Sequence, residues 1–133
     1  KQTRANFYDM VTKWKWRWND RNQVQFMGYL SRDAFRLPGN NVQTVGVNAN
    51  STLFEWQTAI YSLRWTHFFN ERFFINFLTA YNDYQPGYKI DAPGSNARLD
   101  SRLIYKNAKV DLQQNTEKHQ FNYGVSAIRY EID

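Results

Sequence analysis

From Asp9 to Trp18 the chain alternates without a break. The odd positions are Asp9, Val11, Lys13, Lys15 and Arg17, and the even positions are Met10, Thr12, Trp14, Trp16 and Trp18. A period of two puts three Trp on one side of a strand and three cations on the other. Such a segment separates two different media. After the polar run Asn19-Asp20-Arg21-Asn22 the alternation resumes, with Val24, Phe26, Gly28 and Leu30 set against Gln25, Met27, Tyr29 and Ser31. Two alternating runs around a polar turn predict a hairpin. With Asn19–Gln23 as the turn, Trp18 is expected opposite Val24, Trp16 opposite Phe26 and Trp14 opposite Gly28. Every pair then lies on one apolar face, and a large ring covers the bare glycine backbone.

The unit recurs. Ala59, Tyr61, Leu63 and Trp65 alternate with Thr58, Ile60, Ser62 and Arg64, and a turn follows near Asn70-Glu71-Arg72. Phe73, Ile75, Phe77, Thr79 and Tyr81 then alternate with Phe74, Asn76, Leu78, Ala80 and Asn82. In the third unit Ile104, Ala108, Val110 and Leu112 share a face with Lys106, and Phe121, Tyr123, Val125 and Ala127 follow the turn at 114–117. A Lys at mid-depth on a lipid face costs about 2–4 kcal/mol. Because Leu103 and Tyr105 on the other face are also apolar, the reading shifts the phase of that strand.

The expected fold is all-β, an antiparallel up-and-down transmembrane β-barrel segment of about six strands in three hairpins. The strands are placed at roughly 6–18, 24–35, 56–68, 73–84, 99–112 and 119–132. Long outer loops are placed at 36–54 and 85–97, carrying the turn formers Leu37-Pro38-Gly39-Asn40-Asn41 and Ala92-Pro93-Gly94-Ser95-Asn96. Strands this long exceed the soluble average of about five or six residues and suit the about 9–11 residues of a membrane strand. Strict alternation of short and long connections is an outer-membrane pattern. Six strands fall short of the minimum of about eight that closes a membrane barrel, so the 133 residues are expected to be part of a larger barrel.

Composition fits this division. The chain is 18% aromatic yet has a mean hydropathy of -0.75 and no Cys. That excludes a disulfide scaffold, a Cys-based metal site and intrinsic disorder. No apolar run reaches the length of a membrane helix. The net charge of +5 suits an anionic partner only weakly. Lys13-Trp14-Lys15-Trp16-Arg17-Trp18 invites a nucleic-acid reading, but the Trp and the cations point opposite ways, whereas a stacking platform needs both on one surface. No nucleic-acid partner is expected.

Chemistry is sparse. His67 and His119 have no second ligand at a metal spacing. There is no phosphate loop and no nucleophile elbow. Asp9, Asp33, Asp83 and Asp100 are scattered near strand ends, which does not assemble a carboxylate pair. The chain is expected to be no enzyme, with no catalytic residue, metal or cofactor. Trp14, Trp16, Trp18, Trp65, Phe69 and Phe73, close to short turns, are candidate lipid-interface aromatics.

Phrases across the whole chain carry a resemblance. They are Asn6-Phe7-Tyr8-Asp9-Met10, Gln25-Phe26-Met27-Gly28-Tyr29, Arg32-Asp33, Ser62-Leu63-Arg64-Trp65-Thr66-His67-Phe68-Phe69, Tyr81-Asn82-Asp83-Tyr84, Asp111-Leu112 and His119-Gln120-Phe121-Asn122-Tyr123-Gly124. In this order they resemble the barrel region of TonB-dependent outer-membrane receptors of the Bacteroidetes type. The resemblance implies residence in the bacterial outer membrane, with lipid against the barrel. It also implies uptake of a bulky nutrient (a glycan, siderophore or similar chelate) driven through TonB. TonB would act on a plug region that this sequence does not include, and a surface lipoprotein lid is a further implied partner. Residues at the outer strand ends would then meet substrate: Arg32, Asp33, Arg36, Trp56, Asp83, Tyr84 and Tyr88. Two other readings stand beside it, a soluble carbohydrate-binding β-sandwich or barrel using exposed Trp and Tyr, and an uncoupled porin-like wall.

Overall fold

Alternation over this length has one cheap outcome, because each strand can satisfy its backbone only by pairing with the next. In the computed structural model, which describes residues 3–38 and 51–133, the chain forms seven strands. They are β1 (Arg4–Asn19), β2 (Asn22–Pro38), β3 (Ser51–Asn70), β4 (Phe73–Ala92), β5 (Ser95–Asp100), β6 (Leu103–Asn115) and β7 (Gln120–Ile132). All pairs are antiparallel, in one open sheet of order β1-β2-β3-β4-β6-β7, with β5 beside the C-terminal end of β4. The fold is thus all-β and up-and-down, and the sheet is not closed. No second sheet lies against it among the described residues.

Seven strands replace the expected six, and they run further than expected. The span 85–97 is not a loop. Residues to Ala92 continue β4, and Pro93-Gly94 turns the chain into β5. Gly94 has φ 78°, the left-handed value that the third position of a type II turn after Pro requires. Of the loop placed at 36–54, residues 36–38 and 51–54 are strand. Gly39, Asn40 and Asn41 lie outside the described residues. Pro86 explains where β5 ends and β6 begins. Its carbonyl accepts from the Ser101 N–H at 3.0 Å, and it has no N–H to give on that side. Ser101 and Arg102 therefore interrupt the ladder beside it.

The turns at the other end are tighter than the sequence suggested. In the first two hairpins only Asp20-Arg21 and Glu71-Arg72 lie outside the strands, and in the third only residues 116–119. Asn19 Oδ1 accepts from the Arg21 N–H at 3.0 Å, and Asn70 Oδ1 accepts from the Arg72 N–H at 2.9 Å. The register shifts at Trp18 in one hairpin and at Phe69 in the other. The two hairpins therefore share one device, an aromatic bulge, an Asn that closes the turn, an acid and an Arg. A bulge adds local twist, and the turns close with no non-glycine residue at positive φ among the described residues. The Arg carbonyls then tie each turn to the next strand. Arg21 accepts from the Phe68 N–H at 2.8 Å and Arg72 from the Asn115 N–H at 2.7 Å.

The shorter turn corrects the expected register by two residues. Trp16 faces Val24, Trp14 faces Phe26 and Thr12 faces Gly28. Because the slip is even, every side chain keeps its face. Gly28 is covered by Phe26 and Tyr61, whose rings stack at 6.5 Å, and not by Trp14. The phase expected to fail in β6 holds. Lys106 lies on the face of Ala108 and Val110, opposite Arg129, and its ammonium meets Glu131 at 3.0 Å.

Candidate functional site

The sheet has a Trp face, carrying Trp14 and Trp16, and a Lys face, carrying Lys13 and Lys15. Register extends each across all strands. Trp16, Val24, Trp65, Phe77, Val110 and Val125 form one row of the Trp face. Lys15, Gln25, Arg64, Leu78, Lys109 and Ser126 form the neighbouring row of the Lys face.

Burial is inverted relative to a soluble protein. The most enclosed side chains include Gln23 at 7%, Thr66 at 6% and Thr52 at 1% exposure, all on the Lys face. On the edge strands β1 and β7 both faces are open, with Trp14 62% and Val11 57% exposed, so the contrast is carried by the inner strands. In β3 and β4 five of the six exposed large apolar residues, Tyr61, Leu63, Trp65, Phe69 and Phe77, point to the Trp face, and Tyr84 points to the Lys face. The Lys face is the crowded side, as on the inside of a curved sheet. Thr66 Oγ1 donates there to Asn76 Oδ1 at 2.7 Å. Enclosed polar atoms without a partner, Thr52 Oγ1, Asn82 Oδ1 and Asn107 Oδ1, also lie on this side.

Near the turns the Trp face carries an aromatic belt. Trp14 and Trp16 stack at 6.4 Å, and Trp16 meets Trp18 at 5.5 Å. Trp65, His67, Phe69 and Phe73 continue it, with centroid separations of 5.9, 4.7 and 4.8 Å. All six candidate interface aromatics thus lie on one face at one end. The sequence reading missed Phe121 and Tyr123, stacked at 6.4 Å on the third hairpin, although they keep the same alternation. It also missed Asn22, whose Oδ1 accepts from Trp65 Nε1 at 3.2 Å and lies 2.8 Å from His67 Nδ1. Asn22→Ala is expected to cost about 1 kcal/mol, the worth of a typical hydrogen bond, and chemical denaturation of the intact protein measures it.

Away from the turns the Trp face becomes charged along an oblique line. The first charged side chain met on it is Arg129 on β7, Lys106 on β6, Asp83 on β4, Glu55 on β3, Arg32 on β2 and Arg4 on β1. Lys106 shares its row with Thr12 of β1, which stands eight residues short of Arg4. Eight residues at about 3.4 Å, set against the four strand spacings of about 4.8 Å from β6 to β1, or five from Arg129 on β7, make the boundary slope by roughly 50–55°. Three of the charges on this line are paired, Asp83 with Arg102 and both Lys106 and Arg129 with Glu131. Arg102 Nη2 reaches Asp83 Oδ2 at 2.6 Å. Beyond the uncharged stretch of β4, this guanidinium holds the Asp83 carboxyl below the usual carboxylate range, against the opposing effect of burial. Glu131, held by Lys106, is lowered likewise.

The substrate candidates divide between the faces. Arg32, Arg36 and Asp83 lie on the Trp face, and Asp33, Trp56, Tyr84 and Tyr88 on the Lys face. Arg32 and Asp83 share a cleft of about 500 Å³ with Tyr8, Gln57 and Gln85. Arg36 lines a smaller one with Arg4. Tyr88 packs on Phe54 at 5.0 Å, next to the Asp33–Trp56 pair. Away from the turns the Lys face carries two separate aromatic pairs, Phe54–Tyr88 at 5.0 Å with Trp56 beside it and Tyr105–Tyr130 at 5.3 Å, while Tyr8 stays on the Trp face. Among the described residues no three His, Asp or Glu cluster as metal ligands. His67 and His119 sit in separate hairpins, each against a Phe.

Comparison with family models, curated proteins and solved structures finds no match.

Proposed function

We propose that this sheet is part of the wall of an outer-membrane β-barrel transporter, with the Trp face toward lipid and the Lys face toward the lumen. The observation that carries the reading is the pairing of inverted burial with an oblique uncharged band. A band level with a membrane must cross tilted strands obliquely, and membrane barrels tilt their strands by about 35–45°. On β2 the uncharged stretch of this face runs from Asn22 to Leu30, close to the length that crosses a bilayer. The belt of Trp, His, Phe and Tyr beside the turns suits the periplasmic interface, where an amphipathic ring has one end in hydrocarbon and one in water. A soluble sandwich would cover these rings with a second sheet.

Within that frame the chain serves energy-coupled uptake of a bulky nutrient, in line with its resemblance to TonB-dependent receptors. The aromatic outer end of the Lys face supports a ligand with flat or ring-shaped surfaces, such as a glycan, because rings stack on such faces. TonB and a plug would supply the coupling.

Spin labelling tests the orientation. The chain contains no Cys, so single cysteines can be placed at Leu63 and Val125 on the Trp face and at Ser62 and Ser126 on the Lys face. In the intact protein reconstituted in vesicles, labels at 63 and 125 are expected to collide with oxygen and not with a water-soluble nickel chelate. Labels at 62 and 126 are expected to show the reverse. Equal nickel access at all four positions would end the wall reading.

A further inference from the structure

We infer that the turn-side half of the Lys face holds a binding site for a multiply charged small anion, one bearing phosphate or several carboxylates. Five cations, Lys13, Lys15, Arg17, Arg64 and Lys109, lie on this half of the face against one acid, Asp111. Asp111 is already engaged by Lys109 at 2.9 Å. Among the described residues the other four cations have no carboxylate within ion-pair distance.

Three of the four line a half-open cleft. Lys13, Lys15 and Arg64 line a cleft of about 480 Å³ together with Gln25, Ser62 and Met27. That volume falls in the range of small-molecule sites, about 300–1,000 Å³. Arg64 offers a planar fork that matches phosphate or carboxylate, and the two Lys are flexible point charges. Gln25 and Ser62 add neutral donors between them. Register fixes the assembly. Lys15, Gln25 and Arg64 stand side by side in one row, and Lys13, Met27 and Ser62 in the next. Like charges held side by side repel one another, and an anion relieves that repulsion. The opposite face at the same depth is uncharged, so the positive potential is directed to one side of the sheet.

This deepens the transport reading by giving its ligand a sign, since the cleft opens on the proposed lumen side. Isothermal titration of the intact protein in neutral detergent with inorganic tripolyphosphate tests it. Saturable binding is expected. The triple substitution Lys13→Gln/Lys15→Gln/Arg64→Gln is expected to weaken it at least about tenfold, and Lys89→Gln/Arg98→Gln/Arg129→Gln, with the same charge change on the other face, by less than about twofold. Should the first triple fail to fold, Arg64→Gln alone is expected to weaken binding measurably, while Lys15→Arg retains it. Absence of saturable binding, or equal weakening by both triples, overturns the inference. Spin-label access to the Trp face is unaffected by these substitutions. Lipid access without anion binding would therefore defeat the site and leave the wall, and binding without lipid access would do the opposite.

Discussion

Leu63→Arg is expected to lower stability in a bilayer by about 2–4 kcal/mol, the cost of a cation near the midplane of a lipid-facing barrel surface. Leu63 lies in the middle of the uncharged band, between Phe26 on β2 and Thr79 on β4, and is 44% exposed. An Arg there has no acid on its row and is several residues from Glu131 or Asp83, too deep for an easy reach to water. Ser62→Arg, one residue away on the same strand, is the control. Its side chain joins Arg64 on the Lys face and is expected to change stability by no more than about 0.5 kcal/mol. Urea unfolding of the intact protein in vesicles measures both. Equal effects would mean that the two faces see the same medium, and the lipid assignment would fall.

The second large effect concerns the ladder. Ile60→Pro is expected to abolish the folded, heat-modifiable form of the protein on gel electrophoresis. Ile60 sits in β3 with Tyr29 of β2 on one side and Asn82 of β4 on the other. Proline there removes an N–H donor and leaves a carbonyl unpaired, and where no water can replace it each unsatisfied group costs several kcal/mol. The native Pro86 shows the permitted case, because its missing N–H points at the break between β5 and β6. A folded Ile60→Pro variant would mean that β3 is an edge or is solvated.

Much of this was legible in the residues. Trp14, Trp16 and Trp18 set against Lys13, Lys15 and Arg17 require a strand with two unlike faces, since only a period of two separates them. The three hairpins follow from the polar runs that interrupt this alternation. Register was legible only to parity. The bulges at Trp18 and Phe69 shorten the turns, and nothing local announces them except the repeated aromatic-Asn-acid-Arg string. The span 85–97 reads as a loop because Pro86, Gly87, Pro93 and Gly94 crowd together. It pairs as β4 and β5 because Pro86 falls where no donor is needed and Gly94 where a left-handed residue is. Lys106 looked misplaced because Glu131 is 25 residues away, and only the β6–β7 register brings them together.

The sequence by itself determined which residues share a face and that the faces differ, because side-chain alternation is a property of a single strand. Tertiary structure alone decided what those faces amount to. Cross-strand register aligned three isolated cations around a cleft and stacked the turn-side rings into a belt. It also drew the charged residues of six strands into one sloping line. Each of these depends on the offset between neighbouring strands, which hydrogen bonding and turn geometry set and which no single segment contains.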